Sequence, residues 1–282
     1  MQSFLLCDSN GYFEQPEVSN SMMKTFRSQG SWTYYHKYIT KSLTPDKPSD
    51  AMRLGSAFHG YMELASLALA KGSDELDLEK RIITLPSTID GEPLNLRKKS
   101  HREEVQSYKD RADKENKPWV TDDEMESVSR MVASATENPL ARSIMKSGGK
   151  PETKCINEVV GVGCKAMADL LSEDGETIID YKTTRAHTPK EFMREALYKY
   201  KYQYQAAHYC DVFERPNFIF IAVRNFAPYE TMVYRMSPDI IAAARQENHD
   251  TLRAIKACEE LNEWHSVGWS FPTTIEEKKN EH

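Results

Sequence analysis

The sequence has no C-x-x-C pair among its five cysteines, Cys7, Cys155, Cys164, Cys210 and Cys258. That spacing excludes a zinc ribbon, a thioredoxin-like motif and a close-spaced iron–sulfur anchor. An odd count in a chain of 282 residues fits reduced thiols, so a cytoplasmic setting is expected. No run approaches the ~20 apolar residues that a membrane-spanning helix needs, and no membrane association is expected. The stretch MQSFLLCDSNGYFEQPE lacks a basic start and a long apolar run, unlike a secretory leader. A basic excess is missing too: 37 Lys and Arg stand against 43 Asp and Glu, a net charge of −6. A simple cationic DNA-coating protein is thereby excluded. A phosphate substrate is not, because bound cations and local basic patches reverse the field at a site. There is no internal repeat and no low-complexity tract.

What is present reads as helices followed by a mixed α/β core, expected as one domain over 1–282 with a helical part at 18–150 and the core at 151–262. Ser19 and Ser21 offer N-caps for a helix within 18–40, with Tyr34, Tyr35 and Tyr38 turned inward. TPDKPSD (44–50) is a loop by composition. Leu54, Phe58, Tyr61, Met62, Ala65 and Leu69 give helical spacing over 51–72, stopped by Gly72. A strand is expected near 81–85 and a helix near 99–115. Thr121 and Glu124 form a capping box for a helix to about 137, and a further turn at 139–146 ends at Gly148-Gly149. The period then changes. Residues 152–171 read as two strands joined around Gly161-Val162-Gly163, SEDGE (172–176) as a turn, and TIIDYKTT (177–184) as a third strand. Thr188, Pro189 and Glu191 start a helix that runs to about 213 with a break near 198–201. Strands at 217–225 and 229–236 follow, then a helix from Ser237-Pro238 to about 262.

The chemistry concentrates in MADLLSEDGETIIDYKTT, 167–184. Asp180 and Lys182 are two apart on a strand and leave the same face, with Ile178; Ile179 and Tyr181 leave the other. Asp169 lies at the end of the preceding strand, and the turn brings it toward Asp180. Two carboxylates that close repel unless positive charge sits between them. A hard divalent cation suits their oxygens, and Lys182 beside it supplies fixed positive charge where negative charge develops. Taken alone, D-x-K equally describes an inert, solvated Asp–Lys pair.

AMADLL, IIDYKTT and YQYQAAHY together resemble the PD-(D/E)xK nuclease superfamily, and within it the exonuclease VIII (RecE-type) and RecB-type branch. The resemblance runs from about residue 18 to 262. It implies a restriction-endonuclease-like mixed β-sheet core flanked by helices, with a helical N-terminal half. Asp169 and Asp180 are then metal ligands and Lys182 assists the attacking water. The position before the first acid is Ala168, where the family usually has proline. LGSAFH supplies Gly55 and His59 of a G-x-x-x-H setting, which makes His59 a metal ligand. A lone helical histidine would otherwise read as a packed or exposed residue. QAAHY supplies Gln205 and Tyr209, one helical turn apart, expected to hold the DNA strand or orient the lysine. The Tyr181 carbonyl is a further expected ligand.

The same resemblance implies Mg²⁺, or Mn²⁺, as cofactor and the ends of linear double-stranded DNA as substrate. It implies 5′→3′ digestion that leaves 3′ single-stranded tails for recombination, in a bacterial or phage-infected cell. A homo-oligomer and a single-strand annealing recombinase partner belong to the same picture. A RecB-like single-strand nuclease or an endonuclease would use the same residues, and a catalytically inactive DNA-binding module is a third reading. Glu152, placed ahead of the first strand, is either a surface residue or an acidic helper. Arg185, His187, Lys199 and Lys201 are candidate phosphate contacts. LRKKSHR (96–102) is either a solvated helix start or a backbone contact, and His208 is structural.

Overall fold

The caps written into the sequence set the helix boundaries of this computed structural model, which describes residues 11–44, 48–73, 76–147 and 149–266. Ser19 accepts a hydrogen bond from the Met22 amide and opens α1, Asn20–Tyr34. Gly30 interrupts α1 at φ 87°, a left-handed conformation that a side chain would disfavour. A π-helical turn, Tyr35–Ile39, continues it. Helix α2 spans Asp50–Lys71 from the Ser49 cap to left-handed Gly72. Short strands β1 (Ile83–Thr84), β2 (Thr88–Ile89) and β3 (Glu92–Pro93) precede α3, Lys99–Glu115. Strand β4, Trp119–Val120, pairs in parallel with β1, while β2 and β3 form a hairpin. The Thr121–Glu124 capping box opens α4, Asp122–Glu137, and Asn138 with Pro139 opens α5, Pro139–Lys146.

The expected core follows in the expected order. Strands β5 (Lys150–Val159), β6 (Val162–Leu171) and β7 (Thr177–Thr184) precede α6, Pro189–Arg194. A π-helical turn, Glu195–Lys199, leads to α7, Tyr202–Phe213, then β8 (Asn217–Arg224), β9 (Thr231–Arg235) and α8, Pro238–Leu261. The five strands lie in the order β5-β6-β7-β8-β9. The pair β7–β8 is parallel, through the α6–α7 crossover, and the other pairs are antiparallel. The hairpin turn sits one step earlier than expected, at Val160-Gly161. Val159 pairs with Val162, and both turn residues have positive φ, 47° and 77°. That is the backbone of a two-residue type I′ turn. Of the expected loop 44–50, residues 45–47 lie outside the described residues, as does Gly148.

The early helices flank both faces of the sheet. On one face α1, α7 and α8 bury Met23, Tyr34, Ala206, Leu252 and Ile255 against Ala166, Ile178 and Phe220. On the other, α2, α4 and α5 bury Phe58, Met62, Met131 and Met145 against Leu170, Ile179 and Ile221. Each of the leucine, isoleucine, phenylalanine and methionine side chains among them contributes about 1.5–3 kcal/mol on burial. Tyr34 is fully buried, and Tyr35 and Tyr38 pack against the same core, as their spacing predicts.

The sheet carries one irregularity. The β6–β7 ladder runs through Leu170–Ile179 and Leu171–Ile178, after which the strands splay. Val18 fills part of the gap: its amide donates to Gly163 O at 2.9 Å and its carbonyl accepts from Lys165 N at 3.0 Å. The buried Lys165 ammonium then secures the same segment through Tyr12 O (2.9 Å) and Gln15 O (2.6 Å), which offsets its burial.

Candidate active site

The splay begins at the two acids. By the register of the ladder Asp169 stands opposite Asp180, but the strands exchange no backbone bonds there. Instead Asp169 Oδ2 accepts the Tyr181 amide at 2.7 Å. A side chain has taken the place of a main-chain acceptor, and the carboxylate is held in the notch between the strands. The same oxygen lies 3.2 Å from His59 Nδ1, which α2 brings in across the other face. Asp180 is 3 % exposed. Its Oδ1 accepts from Gln205 Nε2 of α7 at 2.5 Å, and its Oδ2 lies 2.5 Å from Lys182 Nζ. Gln205 also hydrogen-bonds Tyr209 one turn on, as their spacing predicts. Ile178 and Asp180 point to one face, Ile179 and Tyr181 to the other.

The four groups feel one another. Burial pushes the Asp180 carboxyl up, Lys182 pulls it down, Asp169 pushes it up again, and the net direction is up. Burial alone would raise Asp169 as well, but His59 and Lys182 outweigh it and hold that carboxyl below its ordinary value. Burial alone would depress Lys182 and His59; the two carboxylates reverse this for both, and each stays charged more readily than in water. Tyr209 is pushed well up, by burial first and then by Asp180, so it is a neutral phenol at physiological pH.

The family described as "PDDEXK-like domain of unknown function (DUF3799)" matches residues 19–267. This chain belongs to that family. It also shares its fold with a solved structure described as a candidate exonuclease from Eubacterium rectale. That similarity has a TM-score of 0.62 at 12 % identity and covers 93 % of this chain and 88 % of the other. SSO0001 (16 % identity, 46 % of this chain and 68 % of that one) and Rai1 of Scheffersomyces stipitis (11 %, 85 % and 66 %) have TM-scores of 0.28 and carry no argument. No curated protein matches.

The donor set of the PDDEXK-like chain fits a hard divalent cation. Asp180 Oδ2 is buried without a hydrogen bond of acceptable geometry, although the Lys182 ammonium is beside it. Asp169 and Asp180 offer the carboxylate oxygens that Mg²⁺ and Mn²⁺ accept, and the His59 imidazole suits the softer Mn²⁺ better than Mg²⁺. Strand geometry sends the Tyr181 carbonyl to the same side as its amide, which faces Asp169. Among the described residues no three His, Cys, Asp or Glu side chains form a preassembled cage. The reason is local: Asp169 is turned to His59, while Asp180 is turned to Lys182 and Gln205.

The PDDEXK-like fold treats the remaining candidates unevenly. Glu152 lies inside β5 and not ahead of it, at φ 44°, half-buried. Its electrostatic neighbour is Glu63 of α2, whose carboxyl is pushed up by burial first and by Glu152 next, against the pull of its Arg81 partner. Arg185, His187, Lys199 and Lys201 are all exposed, and Lys199 pairs with Glu195 at 2.8 Å. The 96–102 stretch satisfies itself as a helix start: Lys98 pairs with Glu92, Arg102 donates to Leu96 O and Arg97 O, and buried His101 accepts from the Asn95 amide. His208 is structural as expected, 1 % exposed and 3.0 Å from Lys165 O.

Sequence reasoning missed Glu63 and Ser66. Both stand on the His59 face of α2, four and seven residues on, and that spacing was the available signal. Ser66 Oγ donates to Met62 O and accepts the Tyr181 hydroxyl, each at 2.8 Å, which fixes the residue whose amide holds Asp169. A cavity of about 460 Å³ walled by Val159, Cys210, Arg215 and Arg245 shares no residue with this quartet.

Proposed function

We propose that the chain is a divalent-metal-dependent deoxyribonuclease acting as one unit over 1–282, its helical part at 18–150 flanking an α/β catalytic part at 151–262. The reading rests on one observation: Asp169, Asp180, Lys182 and His59 converge where β6 and β7 part. Asp169, Asp180, His59 and the Tyr181 carbonyl would hold Mg²⁺ or Mn²⁺. The cation supplies Lewis-acid polarisation of the phosphodiester and lowers the pKa of water. Lys182 orients the attacking water and offsets the charge that builds on the phosphoryl oxygens. Gln205 and Tyr209 are positioning residues, which keep Asp180 from rotating away as charge shifts around it. The description of the Eubacterium rectale protein as a candidate exonuclease supports the same chemistry.

The finer reading is an exonuclease at the ends of linear duplex DNA, digesting 5′→3′ and leaving 3′ tails and 5′-phosphate products. A homo-oligomeric ring, a cytoplasmic location and a single-strand annealing partner go with it. No helix among the described residues is long and apolar enough to cross a membrane. Incubating linear and closed-circular duplex with the protein in Mg²⁺ or Mn²⁺ tests the reading. Linear DNA is degraded, circular DNA is spared, and 5′-labelled ends lose label first. Asp180→Ala and Lys182→Ala, folded by circular dichroism, lose cleavage by about 10²–10³-fold or more. Linear duplex left intact by the wild type in both metals overturns the reading.

A further inference from the structure

The segment between α6 and α7 carries a tyrosine at every second position: Tyr198, Tyr200 and Tyr202. On a continuous α-helix, neighbours two apart point to nearly opposite sides and cannot touch. Here Tyr200 and Tyr202 are stacked, with ring centroids 5.2 Å apart and planes 16° apart. Two backbone departures make that possible. The Glu195–Lys199 turn is π-helical, and Lys201 is left-handed at φ 59°. A non-glycine residue in that conformation carries strain, and π-turns recur at functional sites.

The stack continues inward. Tyr202 lies 5.4 Å from Phe220 of the core, and Lys182 Nζ stands 5.2 Å from the Tyr202 ring centre. Outward it ends at Tyr200, which is 36 % exposed; Tyr198, two residues earlier, is 73 % exposed. Folding gains little from aromatic surface left in water. Lys199 Nζ lies 4.9 Å from the Tyr200 ring centre, and Lys201, the next residue along the chain, is exposed. An aromatic step one ring away from the lysine at the phosphate, rimmed with cations, is the arrangement that holds unpaired nucleotides: bases stack on the rings and the backbone follows the charge.

We infer that Tyr200 is a stacking platform for an unpaired base of the DNA strand next to the scissile phosphate. The preferred substrate then has a frayed or single-stranded end. This inference takes its substrate from the nuclease reading above. A strand whose phosphate reaches Lys182 lays its neighbouring base over the outer face of Tyr200.

The experiment titrates single-stranded oligonucleotides carrying terminal 2-aminopurine into the full-length protein in EDTA, then measures cleavage of frayed and blunt duplexes in Mg²⁺. Stacking quenches the fluorescence. Tyr200→Ala loses the quench, weakens binding about tenfold and raises KM on frayed ends more than it lowers kcat. Tyr200→Trp restores all three. Tyr200→Ala loses only the stack on Tyr202, so its thermal midpoint falls by a few degrees at most and the variant stays folded in both assays. Tyr200→Ala that binds, quenches and cuts like wild type overturns the platform and leaves the nuclease reading in place. Quenching by a wild type that cuts no DNA overturns the nuclease reading and leaves the platform.

Discussion

Lys182 Nζ lies 2.5 Å from Asp180 Oδ2, and both groups are largely withdrawn from water. Removing either partner of such a pair leaves the other uncompensated, at a cost of about 3–5 kcal/mol. Lys182→Met is therefore expected to lose cleavage by about 10²–10³-fold and also to melt earlier. The double variant Asp180→Asn/Lys182→Met should recover most of the melting temperature and none of the activity. Calorimetry and a cleavage assay on the three proteins separate the two roles.

Ser66→Ala should cost stability without touching the chemistry directly. It strips the buried Tyr181 hydroxyl of its acceptor, a loss of about 1–3 kcal/mol. Urea denaturation reads that cost. A loss of kcat in the same variant at low temperature would place Tyr181, through its amide to Asp169, in the positioning of the acid.

Gly55 stands one turn before His59, and a Cβ there would meet nothing within 4 Å. Alanine in mid-helix is favoured over glycine by about 0.5–1 kcal/mol. Gly55→Ala is expected to melt a few degrees higher at unchanged kcat/KM. Gly55→Phe should melt like wild type but cut duplex DNA poorly, because its ring would project over the His59 approach.

His208 is buried against the Lys165 carbonyl, and burial brings it down to about 4 from an ordinary 6.5. Its folded value is depressed, so below 6.5 the unfolded chain takes up a proton that the native state refuses. Stability is full above about 6.5 and is lost as pH falls toward 4, by about 3 kcal/mol at 1.4 per pH unit. Denaturant titrations of wild type and His208→Gln across that window should show the wild type losing about that much more.

Strand β7 was legible to the residue, because TIIDYKTT is bounded by a turn and by the Thr188 cap. The caps at Ser19, Thr121 and Thr188 gave three helix starts for the same reason: each is a local exchange of hydrogen bonds. Strand β1 lies inside the strand expected near 81–85, but its partner β4 and the β2–β3 hairpin were not legible, since two-residue strands have no period to read. Nor was the splay of β6 from β7, which depends on Val18 pairing with β6 far away in the sequence. At the site, the meeting of Asp169 and Asp180 followed from the hairpin. The roles of Ser66 and Glu63 did not, because α2 reads as one apolar stripe and the polar neighbours of His59 lie along its edge. The break near 198–201 was legible; the tyrosine stack that it creates was not, because ring contacts between alternate residues need that irregular backbone.

Where β7 leaves β6, the main chain of Gly163 and Lys165 would offer open donors and acceptors to any passing strand, were Val18 not already bonded to them. Residues 11–18 therefore cover an edge that would otherwise be open to strand pairing. A deletion that dislodges them would leave that edge free to pair strand-to-strand with another copy and aggregate, even with every side chain around Asp180 intact.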